Sequence, residues 1–233
     1  MTFLKPAALI PQRTFLKRVQ VRPSPMEDSR LFDDWRGSFA ADPRQGGEKK
    51  NNLLPQKGVD MARLPYIEEQ DHPELSGLIA QIRAERGGRL SDLYKMLLYS
   101  PPIAAGWLQL LTAIRQQCQL CGKLRELAIL RVGILNRASY EYQAHIPFAL
   151  KEGLSQDQIE SLSNWRESSL FDSRERAVLA YADDMTKEIH VPEEIFCALR
   201  EHFNDQQLVE LTATIAAYNL VSRFLEALQI YPK

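Results

Sequence analysis

The stretch Lys123-Leu-Arg-Glu-Leu-Ala-Ile-Leu-Arg-Val-Gly-Ile-Leu-Asn-Arg-Ala-Ser-Tyr-Glu-Tyr-Gln-Ala-His-Ile-Pro-Phe-Ala-Leu-Lys-Glu-Gly-Leu154 decides the reading of this chain. After Gly122, the residues Leu124, Leu127, Ala128, Leu130, Arg131, Ile134 and Leu135 fit a mostly apolar helix that belongs in a core. Ser139 is placed to cap a second helix ending near Gly153. Two helices joined by so short a loop pack antiparallel, so their facing side chains converge. On the second helix Glu141 and His145 stand at i and i+4, on one face, and Tyr142 is i, i+3 from His145. The first helix contributes Glu126, with Arg125 and Arg131 nearby. A glutamate that reaches an imidazole holds its tautomer and raises its basicity, which makes a proton-transfer pair near neutral pH.

Outward from this pair, helix signals continue in both directions. Asp71 with Pro73 opens a helix ending at Gly87-Gly88, Ser91 a short one to Tyr99, and Pro101-Pro102 another carrying Trp107, Leu110, Leu111 and Ile114. Ser155 with Gln158 is a capping-box pattern. Asp172 or Ser173 starts a helix through Met185, Pro192 one through Phe203, and Asp205 a long one to about Ile230. No segment alternates with period two for long enough to suggest a sheet. The expected fold is all-α, a compact antiparallel helical domain.

Composition agrees. The chain has 233 residues, 45% hydrophobic and 25% charged, in the range of a soluble globular protein. No run approaches the roughly 18 apolar residues of a membrane span, so no membrane partner is expected. A net charge of −1 provides no general attraction to nucleic acid or anionic lipid. Three cysteines, an odd number, argue against a secreted disulfide scaffold and for a reducing cytoplasm. Residues 1–60 differ from the rest. They carry 11 Lys or Arg against 7 Asp or Glu, with six of the 13 prolines, whereas residues 61–233 carry 18 against 23. They show no sustained period and read as a disordered or dispensable extension. The first 25 residues hold five bases and no acid, which also suits a transit peptide or basic arm; no secretory signal fits, because Pro6 and Pro11 interrupt the only short apolar run. Residues 61–233 form the expected folded domain.

Arg125-Glu126-Leu127-Ala128-Ile129-Leu130, Tyr140-Glu141-Tyr142, His145 and Glu152-Gly153-Leu154-Ser155 together resemble the carboxymuconolactone decarboxylase and alkyl hydroperoxidase D-like superfamily. Supporting matches are Glu175-Arg176-Ala177, Ala180-Tyr181-Ala182-Asp183, Tyr218-Asn219 and Arg223-Phe224, so the resemblance spans roughly residues 75–230. It implies an all-α fold of the alkyl hydroperoxidase D-like type, a homo-oligomer and a small-molecule substrate. Hydroperoxidases of this kind use a glutamate, a Cys-x-x-Cys pair and a histidine. Laid on this chain, the glutamate is Glu126 and the histidine His145, but the two cysteine positions hold Ala138 and Glu141. Without a thiolate there is nothing to attack a peroxide O–O bond. The resemblance therefore points to the decarboxylase-like branch: an enzyme without metal or organic cofactor, acting on a small acidic lactone or related compound. In that reading Glu126, His145 and Glu141 are catalytic, Arg131 grips the substrate's carboxylate, and Tyr142 contacts substrate.

Two other readings remain open. Cys118-Gln-Leu-Cys121 is a Cys-x-x-Cys in an unusual place, before Glu126, and can serve a thiol peroxidase. Alternatively the chain is a helical oligomer without catalysis, in which Glu126 and His145 satisfy each other in the core. Tyr140 and Tyr142 equally fit packing roles, as do Trp107 and Trp165. Arg223 is expected as a buried ion-pair partner for a core carboxylate, ahead of a substrate anchor, and His72, His190 and His202 on the surface. Cys197 with His190 or His202 has no metal-site spacing.

Overall fold

The computed structural model describes residues 62–232. The expectation for residues 1–60 lies outside that range, apart from which the order of elements is as follows. Two single 3₁₀ turns, Glu69–Asp71 and Pro73–Leu75, precede α1 (Ser76–Glu85), α2 (Asp92–Leu97) and α3 (Pro101–Thr112). A π-helical turn, Ala113–Gln117, extends α3. Then come α4 (Gly122–Leu135), α5 (Ser139–Lys151), α6 (Gln156–Ser161) with a 3₁₀ turn at Leu162–Asn164, α7 (Ser173–Lys187), α8 (Glu193–Arg200) and α9 (Asp205–Leu228). The described residues contain helices and no strand. No helix among them is long and apolar enough to cross a membrane.

The fold is built around α4. It packs against α5, α7 and α9. Residues Leu124 and Glu126 to Gly133 are all buried, so the helix is covered on every side. Such a helix has no polar face to spare, and the polar side chains it carries must find partners inside. Gly133 sets the approach of α5: a Cβ there would stand 3.4 Å from the Tyr142 backbone nitrogen. The turn between the two helices closes as a Schellman motif, with Ala138 N–H donating to Gly133 O at 2.9 Å and Arg137 N–H to Ile134 O at 3.1 Å. Arg137 takes the left-handed position (φ 56°) that such turns usually give to glycine.

Three reciprocal capping boxes fix helix starts: Ser155 with Gln158 for α6, Asp172 with Glu175 for α7, and Asn204 with Gln207 for α9. The last puts the cap at Asn204, directly before the expected helix start at Asp205. The single helix expected from Asp71 to Gly87 is instead broken into 3₁₀ turns before α1. His72 precedes Pro73, and the proline ring forces it out of helical geometry (φ −134°, ψ 65°).

Candidate active site

The short α4–α5 turn brings Glu126 of α4 against His145 of α5. His145 Nδ1 lies 2.6 Å from Glu126 Oε2. Its other nitrogen, Nε2, lies 3.0 Å from Glu141 Oε1, one turn earlier on α5. The imidazole is thus held between two carboxylates. All three side chains are buried, with 2% of Glu126 and 4% each of Glu141 and His145 exposed. Arg125 Nε stands 3.4 Å from the second Glu126 oxygen.

The electrostatics follow from this clamp. Burial alone would favour the neutral ring of His145. The charge of Glu141 and the hydrogen bonds to both carboxylates outweigh it, and the pKa is pushed up to about 9. At neutral pH the ring is an imidazolium donating from both nitrogens. Burial likewise pushes Glu126 up, but the hydrogen bond and charge of His145, helped by Arg125 and Arg115, hold its carboxyl below the ordinary range.

His145 and Glu141 form part of the wall of a cavity of about 560 Å³, whereas Glu126 stands behind the ring. Arg115, Tyr94, Tyr140, Phe148 and Tyr218 also line this cavity. The Tyr218 ring meets His145 edge-on at 5.0 Å, and Phe148 lies 5.6 Å away. Pro147 sits inside α5 on the same wall and withholds the N–H that would bond the Gln143 carbonyl. Among the described residues no group of three His, Cys, Asp or Glu side chains is arranged to hold a metal ion.

Several sequence expectations land elsewhere. Arg131 is not on the cavity. Its Nε lies 2.5 Å from Asp183 Oδ1, and its Nη1 donates to Leu162 O at 2.8 Å. Asp183 is buried and is also reached by the exposed Arg166 and Lys187, so Arg131 is committed to a buried ion pair on the α7 side, away from the cavity. Tyr142 also turns away. It is half-buried, with its hydroxyl 3.4 Å from Ile159 O. Tyr140, read as packing, is the tyrosine of that pair that reaches the cavity. Arg223 is exposed and bonds Asn219 of its own helix. Sequence reasoning gave Arg115 and Tyr218 no site role, although Tyr218 stood among the supporting matches. Arg115 sits on the π-helical turn, whose register no periodicity announces, and Tyr218 is one apolar-looking position in a long helix.

The cysteines are away from this cavity. Cys121 is exposed and Cys118 half-buried at the α3–α4 connection. Burial, aided by the charge of Glu210, pushes the Cys118 thiol above its ordinary pKa, opposite to the activation a nucleophilic thiolate needs. Ala138, at one of the hydroperoxidase sulfur positions, is fully buried at the start of α5.

Comparison with known proteins agrees with the fold and the central segment. The model of the carboxymuconolactone decarboxylase family matches residues 101–184. The uncharacterized protein YdfG of Bacillus subtilis (strain 168) is 30% identical over 101 residues, which is 42% of this chain and 69% of that protein. ATU0492, a protein of unknown function from Agrobacterium tumefaciens named in connection with AhpD and antioxidant defence, is 29% identical, with a TM-score of 0.55 over 58% of this chain and 94% of that one. An uncharacterized peroxidase-related protein of Ralstonia eutropha JMP134 with an AhpD core shares the fold at 23% identity, with a TM-score of 0.62 over 74% of this chain and 92% of that one. The chain belongs to the carboxymuconolactone decarboxylase/AhpD-like superfamily.

Proposed function

We propose that the protein is an acid/base enzyme of the decarboxylase-like kind, working without a cofactor on a small acidic lactone or related compound. The observation that carries the reading is His145, buried at a cavity wall with a carboxylate on each ring nitrogen. In the reaction the bond to the departing carboxylate breaks and carbon dioxide leaves. The electron pair moves toward the lactone carbonyl. A proton then goes from His145 to carbon, and solvent restores it. Glu126 holds Nδ1 and keeps Nε2 aimed at the cavity, while Glu141 shares the Nε2 proton until substrate takes it. A proton donor with a pKa near 9 stays charged through the physiological range. Residues 61–233 are the active unit in this proposal.

The competing reading, a core histidine satisfied by its neighbours, predicts that activity tracks folding alone. Replacing His145 by Gln tests the difference. The expected result is loss of carbon dioxide release from a panel of unsaturated lactone carboxylates in a variant that still melts cooperatively. For the unaltered protein kcat/KM is expected to be level below pH of about 9 and to fall above it, as the acid loses its proton. Turnover that survives in His145→Gln rejects the proposal.

A further inference from the structure

Decarboxylation of a substrate that retains a carboxylate needs a cation near the proton donor, and Arg131 is committed to Asp183. Four observations identify a replacement. First, the Tyr218 side chain is 1% exposed and its hydroxyl has no hydrogen-bond partner. A buried hydroxyl left unpaired is uncommon and points to an acceptor that arrives from outside. Tyr218 is on the cavity wall, edge-on to His145. Burial pushes its phenol well above the ordinary value, so it remains an O–H donor at any working pH.

Second, Arg115 lines the same cavity with its guanidinium over the Phe148 ring, 4.8 Å from the centroid. No carboxylate among the described residues lies within ion-pair distance of it. It is close enough for its charge to act on both Tyr218 and Glu126. Third, Arg115 is carried by a π-helical turn, an energetically poorer form than the α-helix that concentrates at functional positions. Fourth, the neighbouring Arg86 is already satisfied: it donates to the Tyr94 hydroxyl, the Glu85 and Leu108 carbonyls and Thr112. Glu141 faces the cavity too, but its charge is taken up by His145; Glu85 and Arg89 also stand on the wall, and Arg115 is the lining cation whose charge reaches both Tyr218 and Glu126.

We infer that Arg115 and Tyr218 form an anion subsite beside His145 that takes the carboxylate of a small planar acid, Arg115 pairing with the carboxylate and the Tyr218 hydroxyl donating to an oxygen of the same ligand. The Phe148 ring under the guanidinium gives the planar body of the ligand a flat apolar contact. The inference deepens the acid/base proposal, because it assigns the cation that proposal lacks, yet it can be read without turnover.

The test is calorimetric titration of the full chain with benzoate and with benzamide, its uncharged counterpart of the same shape. Benzoate is expected to bind about tenfold or more tighter than benzamide. Arg115→Met is expected to weaken benzoate about tenfold or more and to leave benzamide unchanged, Arg115→Lys to retain part of the preference, and Tyr218→Phe to weaken both ligands several-fold. If Arg115→Met does not melt cooperatively, Arg115→Lys and Tyr218→Phe decide. Equal affinity for the two probes, no benzoate binding to the unaltered protein, or unchanged benzoate affinity in the folded variants overturns the inference. Discrimination that holds while His145→Gln keeps full turnover would sink the acid/base proposal and leave the subsite standing.

Discussion

Replacing Glu141 by Gln perturbs the clamp at its strongest point, because the charge of Glu141 is the largest influence raising the His145 pKa. The rise from the ordinary 6.5 to about 9 corresponds, at about 1.4 kcal/mol per unit, to about 3 kcal/mol. Because the folded-state pKa lies above the unfolded one, this stabilisation is complete below pH of about 6.5 and disappears as pH rises through about 9. The variant keeps Glu126 but loses one carboxylate, and burial, which favours the neutral ring, then counts for more. His145 is expected to titrate well below 9, and a large part of the stability lost between about pH 6 and about pH 10 is expected to vanish. Proton NMR of the four histidines across this range gives the pKa directly, with His145 assigned by its absence in His145→Gln. Urea unfolding at the two pH extremes gives the energy, read as the difference between the two proteins so that other titrating groups cancel. An unaltered protein whose His145 titrates near 6.5, or a Glu141→Gln variant with the same His145 pKa, refutes the electrostatic account.

Three further outcomes follow from other parts of the fold. Arg131→Met removes one partner of a buried ion pair and is expected to cost about 3–5 kcal/mol in chemical unfolding, with kcat per folded molecule unchanged, since Arg131 is not on the cavity; a KM defect in folded protein would restore it to a substrate role. Ile189→Gly relieves a β-branched residue held at φ 65° with its side chain 86% exposed, and is expected to raise stability by up to about 1 kcal/mol, measured as the denaturation midpoint. A chain beginning at Met61 is expected to keep its helical circular dichroism and a cooperative melt; loss of cooperativity would show that residues 1–60 belong to the folded unit.

The helical architecture and the Glu126–His145 encounter were legible because both rest on local rules. A covered apolar helix, a short turn and an i, i+4 face are visible in residues 122–145 without knowledge of the rest. Arg131 was misjudged by the same geometry. It lies five residues beyond Glu126, about 140° around the helix, so a histidine facing Glu126 leaves Arg131 pointing to a different neighbour. Only the packing of α7 reveals that neighbour as Asp183. Tyr142, one position from Glu141, is swung by about 100° toward α6 for the same reason. Arg115 and Tyr218 were out of reach for a different cause. A π turn resets the helical register without a Gly or Pro to announce it, and Tyr218 meets His145 only through contacts far apart in sequence.

Chemistry at His145 without sulfur is the central claim, and one side-by-side assay tests it most directly. Carbon dioxide release from unsaturated lactone carboxylates and dithiol-dependent reduction of organic hydroperoxides are measured for the unaltered protein and for a variant with Cys118 and Cys121 both replaced by Ser. The account predicts decarboxylation in both proteins at the same rate, and hydroperoxide reduction at background in both. Robust hydroperoxide turnover that disappears with the two cysteines, and no carbon dioxide from either protein, would contradict it.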